Sequence, residues 1–260
     1  MYEIKRILDI TYSKVHPEDC KLDLYLPETK LPCPVLIYIH GGGLEAGTRR
    51  NTSGWIEALV SEWGIAVVSL DYRMYPNAHF PDFIEDCAEG TAWVTSYGRT
   101  HSCFNKYYIG GSSAGAYLTM MLYFAENFLL KHGLSPDEFD GYIFDAGQPT
   151  THFNILRERR IDTRAIRVDD AAPVFYVDKQ IEEPEKKPPV LVLVAENDIP
   201  NRLEQNEMFI GTMINFGFIP SRITKKYMAG FSHCGYVNAR DSEGKSIFAN
   251  ILANFIDRGN

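Results

Sequence analysis

The chain has 260 residues, 45% of them hydrophobic and 23% charged, and a formal net charge of −8. That length admits one large α/β domain or two small ones with a sizeable buried core, and the composition is that of an ordinary soluble globular protein. The acidic balance, with no run rich in Lys or Arg, speaks against nucleic acid or an anionic membrane surface as the main partner, because both need clustered positive charge.

Tyr2 to Thr11 and Leu22 to Leu26 alternate apolar with polar residues, as half-exposed strands of an antiparallel edge do. Pro27 to Pro34 turns the chain. Val35 to Ile39 is a continuous β-branched and apolar run, the pattern of a strand covered on both faces, and it ends in His40-Gly41-Gly42-Gly43. A helix is predicted around Gly54 to Trp63, a buried strand over Ile65 to Leu70, a helix from Pro81 to about Tyr97, and a strand ending at Ile109. Beyond it, the periodicity predicts a helix over Ala116 to Leu130 and a strand at Tyr142 to Phe144.

Residues 148–187 break the rhythm: they are charged, have few apolar runs and are closed by Glu182 to Pro189. They read as a small lid over one end of the sheet, with a solvated loop the rival reading. The alternation resumes with a strand at Val190 to Val194, a helix at Arg202 to Phe216, a strand at Arg222 to Met228 and a helix at Lys245 to Phe255. Strands alternating with helices imply an α/β fold, a mostly parallel doubly wound sheet of about eight strands flanked by helices, and one domain spanning residues 1–260.

In such sheets functional groups gather in the loops after the carboxyl ends of strands. Four stretches fall there: His40 to Gly43, Gly111-Ser112-Ser113-Ala114-Gly115, Asn197-Asp198 and Ser232-His233. Together they supply the parts of acyl transfer. A serine hydroxyl needs a base to take its proton, the base must be held in one tautomer, and the oxyanion that forms needs N–H donors. Ser113, on a Gly-x-Ser-x-Gly turn, is the expected nucleophile, His233 the base and Asp198 the acid that orients it, in the chain order of an α/β-hydrolase. Gly42 and Gly43, with the N–H of Ala114, are the expected oxyanion donors, and His40 is expected to brace their loop.

Each role has a rival. Glu196 precedes Asp198 by two residues, but Asp198 stands further into the loop. Six other histidines compete with His233, which alone sits in a Gly-flanked loop between the last strand and the last helix. The glycine run alone is also what a flexible turn looks like. Leu44, Ser112, Phe144, Phe153 and Tyr236 are candidate pocket walls, although aromatic residues near a sheet end are as often core.

The set His40-Gly41-Gly42-Gly43, Gly111 to Gly115, Asp198 and His233 resembles the hormone-sensitive-lipase-like branch of α/β-hydrolase carboxylesterases, the acetyl esterase/lipase group. Asp71-Tyr72-Arg73 with Pro76, Pro81 and Asp86 is similar to the segment that this family carries between oxyanion loop and nucleophile. The resemblance spans about residues 20–257 and implies hydrolysis of short-chain carboxylic esters through an acyl-enzyme, with no cofactor and no metal. Members of the family commonly carry a helical cap before the first core strands. Here strand-like sequence begins near residue 2, so the lid at 148–187 is the expected substitute. Its Arg157-Glu158-Arg159-Arg160 cluster reads as a solvated face or as a contact for an acidic substrate group.

An arylformamidase or a small serine peptidase would use the same triad, and a small-molecule receptor would use the same fold with the triad disabled. The partner expected is a small-molecule ester, and a homodimer is compatible with the sequence. Five scattered cysteines, Cys20, Cys33, Cys87, Cys103 and Cys234, show no CxxC spacing and suit free thiols in a reducing compartment. The charged opening Met-Tyr-Glu-Ile-Lys-Arg and the lack of a window of about 18 apolar residues suit a cytoplasmic protein without a membrane span.

Overall fold

A computed structural model describes residues 1–52, 54–179 and 183–257. Residues 180–182 of the expected lid, including Glu182, lie outside the described residues. Among those described, eight strands form one sheet: β1 (Ile4–Thr11), β2 (Lys21–Pro27), β3 (Cys33–Ile39), β4 (Ala66–Leu70), β5 (Phe104–Ser112), β6 (Gly141–Asp145), β7 (Val190–Asn197) and β8 (Ile223–Ser232). Their spatial order is β1-β2-β4-β3-β5-β6-β7-β8. β1 and β2 form the antiparallel margin, and the pairings from β4–β3 through to β7–β8 are parallel. No helix among the described residues is long and apolar enough to cross a membrane.

The side-chain alternation of β3 shows why the sheet is covered twice. Val35, Ile37 and Ile39 join one core, with Phe83 and Ile84 of α2 (Asp82–His101), Tyr117 and Leu118 of α3 (Ala114–Phe124) and Phe209 and Met213 of α6 (Arg202–Asn215). Leu36 and Tyr38 join the other, with Trp55, Ile56 and Leu59 of α1 (Trp55–Trp63) and Phe248 and Leu252 of α7 (Ile247–Asp257). A period of two therefore feeds two cores from one apolar run. Every residue of α3 is buried, the expected state of a helix that is apolar on all sides.

The chain runs from β3 outward to β4 and then crosses back to place β5 on β3's other side. This reversal opens a crevice between the carboxyl ends of β3 and β5, where an open α/β sheet collects functional loops. The glycine run leaves β3 there, and Ser113 leaves β5.

Several boundaries differ from the sequence expectation. β5 continues three residues past Ile109, because Gly110, Gly111 and Ser112 still pair with Ile143, Phe144 and Asp145. The helix predicted over Ala116 to Leu130 starts at Ala114 and breaks at Ala125, whose ψ of 71° leaves the helical region; a separate turn, α4, covers Asn127–Leu130. β8 runs four residues beyond Met228, to Ser232.

The described part of residues 148–187 forms a short helix α5 (Phe153–Glu158) and two 3-10 turns, Pro173–Lys179 and Pro184–Lys186. It packs on α3 and α6. The Tyr117 hydroxyl donates to Ala171 O (2.9 Å), Thr150 Oγ1 to Gln205 Oε1 (2.8 Å) and Thr151 Oγ1 to Asp169 Oδ1 (2.7 Å). Two arginines of the cluster are spent on similar bonds: Arg157 pairs with Glu45, and Arg159 with Asp169 (2.8 Å) and Asp170 (3.2 Å).

Candidate active site

Ser113 links β5 directly to α3 with φ 55° and ψ −115°, a conformation that L-residues rarely adopt. Its N–H donates to Asp145 O at 2.7 Å, which anchors the turn to β6. The flanking glycines are required by space: a Cβ on Gly111 would lie 2.5 Å from the Gly115 backbone, and one on Gly115 would lie 2.0 Å from Ile39 O. The turn brings strand, helix and β3 so close that only hydrogen fits.

His233 directly follows β8. Its Nε2 lies 2.8 Å from Ser113 Oγ and its Nδ1 lies 2.6 Å from Asp198 Oδ1, so the described structure brings together all three residues expected to act as a triad. A carboxylate only accepts hydrogen bonds, so Nδ1 carries the hydrogen and the Nε2 lone pair faces the Ser113 hydroxyl. The Asp198 side chain is buried, 2% exposed. Burial alone would raise its pKa; the hydrogen bond and charge of His233, joined by the N–H groups of Ile199 and Ala195, outweigh this and hold it below the ordinary value. Glu196, the rival acid, is exposed and accepts from Gly230 N–H at 2.7 Å instead.

Gly42 and Gly43 have φ of 119° and 67°, and a Cβ on Gly42 would lie 1.8 Å from Ala46 O. Asn154 Nδ2 of α5 donates to Gly43 O, fixing the loop from the side of the 148–187 segment. Among the described residues, the N–H groups of Gly42, Gly43 and Ala114 have no hydrogen-bond acceptor. His40 braces the loop: its Nδ1 donates to Gly41 O (2.7 Å), its ring stacks on Tyr72 (4.5 Å between centroids), and the Tyr72 hydroxyl donates to His40 O (3.0 Å). Burial lowers its pKa and favours the neutral ring. The neighbouring Arg73 is held by Asp86.

Ser113 and His233 open into a cleft of about 820 Å³, lined also by Tyr38, Asn51, Thr52, Ser112, Phe153, Ile199, Val237 and Asn238. Ser112 and Phe153 thus lie where the sequence reading puts them. Leu44, Phe144 and Tyr236 do not. Leu44, at φ 66°, turns inward and is buried in the α2–α3 core. Phe144 follows the strand alternation into the aromatic cluster of Phe124 and Phe209. Tyr236 is buried: its ring packs on Phe231 and Phe248, and its hydroxyl finds an acceptor inside, Asp145.

Asp145 itself escapes the sequence reading, since it looks like the polar end of an apolar strand. It is fully buried and accepts from Ser112 Oγ and from the Tyr236 hydroxyl, while the Tyr38 hydroxyl donates to Ser112 Oγ at 2.9 Å. Loss of solvation lifts its pKa to about 6, against the opposing pull of the Ser112 and Tyr236 hydrogen bonds. Cys234 also faces the cleft; burial keeps its thiol protonated and weakly nucleophilic. Among the described residues, no group of three or more His, Cys, Asp or Glu side chains is gathered as a metal cage.

Residues 22–147 match the BD-FAE family. The chain is 33% identical over 105 residues to tuliposide A-converting enzyme 2 of Tulipa gesneriana, covering 36% of this chain and 27% of that protein. It is 30% identical over 135 residues to the esterase LipI of Mycobacterium tuberculosis, covering 45% of this chain and 42% of LipI. The matched stretches thus span less than half of either curated relative. In structure it resembles a truncated carbohydrate esterase from gut microbiota, with a TM-score of 0.75 at 19% identity over 99% of this chain and 96% of that one.

Proposed function

We propose that this α/β-hydrolase, whose residues 22–147 match the BD-FAE family, is a serine carboxylesterase that cleaves short-chain esters of small alcohols. One observation carries the reading: His233 stands 2.8 Å from Ser113 Oγ and 2.6 Å from Asp198, beside an open cleft and three backbone N–H groups that have no acceptor among the described residues.

In the reaction, His233 Nε2 takes the Ser113 proton as Oγ attacks the ester carbonyl carbon. The negative charge that develops on the carbonyl oxygen is met by the N–H groups of Gly42, Gly43 and Ala114. His233 then gives the proton to the departing alkoxide, leaving an acyl group on Ser113. Water, deprotonated by the same nitrogen, attacks the acyl carbon, and His233 returns that proton to Ser113 Oγ as the acid leaves. Asp198 holds the Nδ1–H tautomer and offsets the imidazolium charge in both halves.

The lining supports small substrates. Among the described residues its larger apolar groups are Phe153, Ile199 and Val237, little surface for a long acyl chain. Asn51, Thr52 and Asn238 offer polar contacts, and the Tyr38 ring an aromatic face, that suit a hydroxylated alcohol such as an acetylated sugar. The structural likeness to a carbohydrate esterase agrees with that class.

The test compares kcat/KM for p-nitrophenyl acetate and palmitate, acetylated oligosaccharides, N-formylkynurenine and peptides, with Ser113→Ala as control. Acetate is expected to exceed palmitate, and Ser113→Ala to lose the activity. A preference for the formamide or the peptides would replace the ester reading.

A further inference from the structure

Asp145 takes no part in the steps above, yet its bonds reach the nucleophile turn and residues that flank the base and the glycine loop. It stands opposite Ser112 in the β5–β6 register, and its own carbonyl accepts the Ser113 N–H at 2.7 Å. Its carboxylate holds Ser112, the residue before the nucleophile, and Tyr236, three residues beyond His233. Through Ser112 it also reaches Tyr38, two residues before His40 and the glycine loop.

The donor count requires a carboxylate. Three hydroxyls, those of Tyr38, Ser112 and Tyr236, each need an acceptor. The chain Tyr38 to Ser112 to Asp145 uses two hydrogens, and Tyr236 brings the third to the other carboxylate oxygen. An ionised Asp accepts on both oxygens. An Asn in its place accepts on one and presents N–H on the other, so one hydroxyl hydrogen loses its partner in a dry site. A buried charge is costly, and apolar side chains would fill the same space without that cost.

We propose that Asp145 is a positioning residue for ester hydrolysis: its carboxylate, acting through Ser112 and Tyr236, holds Ser113 Oγ and His233 Nε2 in register. The proposal rests on the serine-hydrolase reading given above. The geometry of attack tolerates little slack, since a misplacement of about 1 Å costs on the order of 100-fold in rate.

The test titrates active sites with an aryl phosphonate and then measures p-nitrophenyl acetate turnover per titrated site, so that misfolded protein does not count. Asp145→Asn should lower kcat per site by roughly 10- to 100-fold with KM within about threefold. Tyr236→Phe, which deletes only the hydroxyl, should lower kcat per site by roughly 3- to 10-fold, and the double variant should be no more than about twofold slower than Asp145→Asn, because both act through one carboxylate. Turnover per site within about twofold of wild type in Asp145→Asn would overturn the proposal and leave the esterase reading standing. Should that variant fail to fold, Tyr236→Phe and Ser112→Ala decide, and unchanged turnover per site in both overturns it. A wild type that takes no label overturns the serine-hydrolase reading and this proposal with it.

Discussion

His233 Nδ1 and Asp198 Oδ1 stand 2.6 Å apart although 35 residues separate them in the chain. Glu196, only two residues from Asp198, spends its carboxylate on the Gly230 N–H. The two acids therefore predict opposite outcomes. Asp198→Asn should lower kcat on p-nitrophenyl acetate by about 10⁴-fold, since the amide cannot enforce the tautomer. Glu196→Gln should stay within about twofold, the scale of a surface change away from the site. Steady-state kinetics of both variants check the assignment, and an equal loss in the two would contradict it.

The glycines of the nucleophile turn give a stability prediction. A methyl on Gly115 would press on Ile39 O at 2.0 Å, backbone that has nowhere to go, whereas one on Gly211 in α6 meets nothing within 4 Å. Gly115→Ala should cost about 3 kcal/mol or more in urea unfolding. Gly211→Ala should stabilise by about 0.5–1 kcal/mol through helix propensity alone.

These contrasts show what the sequence could carry. The apolar runs at Val35 to Ile39 and Val190 to Val194 announce strands covered on both faces, and the order of motifs at strand ends announces the juxtaposition of Ser113, Asp198 and His233, because a parallel sheet aligns those ends. Leu44 and Tyr236 were not legible. Leu44 follows a loop that faces the cleft, but its positive φ turns it inward. Tyr236 looks like a pocket wall beside His233, but its ring packs on Phe231 and Phe248 and its hydroxyl reaches the long-range partner Asp145, 91 residues away. Composition and periodicity carry no information about such a polar network.

Asp145 also fixes a pH dependence of folding. Its carboxyl rises from the ordinary 3.8 to about 6 on folding, so between those values the native chain binds more protons than the unfolded one. Stability from this group is therefore greatest below pH 4 and falls as pH rises to 6, by about 3 kcal/mol in total. The charged and titratable groups around it are Tyr38, His233, Cys234, Tyr236 and Asp198. Asp198, whose pKa falls on folding, acts in the opposite sense, and its contribution is lost as pH drops through the native value. Because Asn does not titrate, the unfolding free energy of wild type minus that of Asp145→Asn should decline by about 2 kcal/mol from pH 4 to pH 7. A flat difference would mean that the carboxyl meets solvent.

Ser113 is the proposed nucleophile. Mass spectrometry of the chain after reaction with a stoichiometric aryl phosphonate tests that assignment most directly. One phosphonyl group per chain is expected, mapped to Ser113, with no adduct on Ser113→Ala. An adduct on any other residue, or p-nitrophenyl acetate hydrolysis by Ser113→Ala at the wild-type rate, would contradict it.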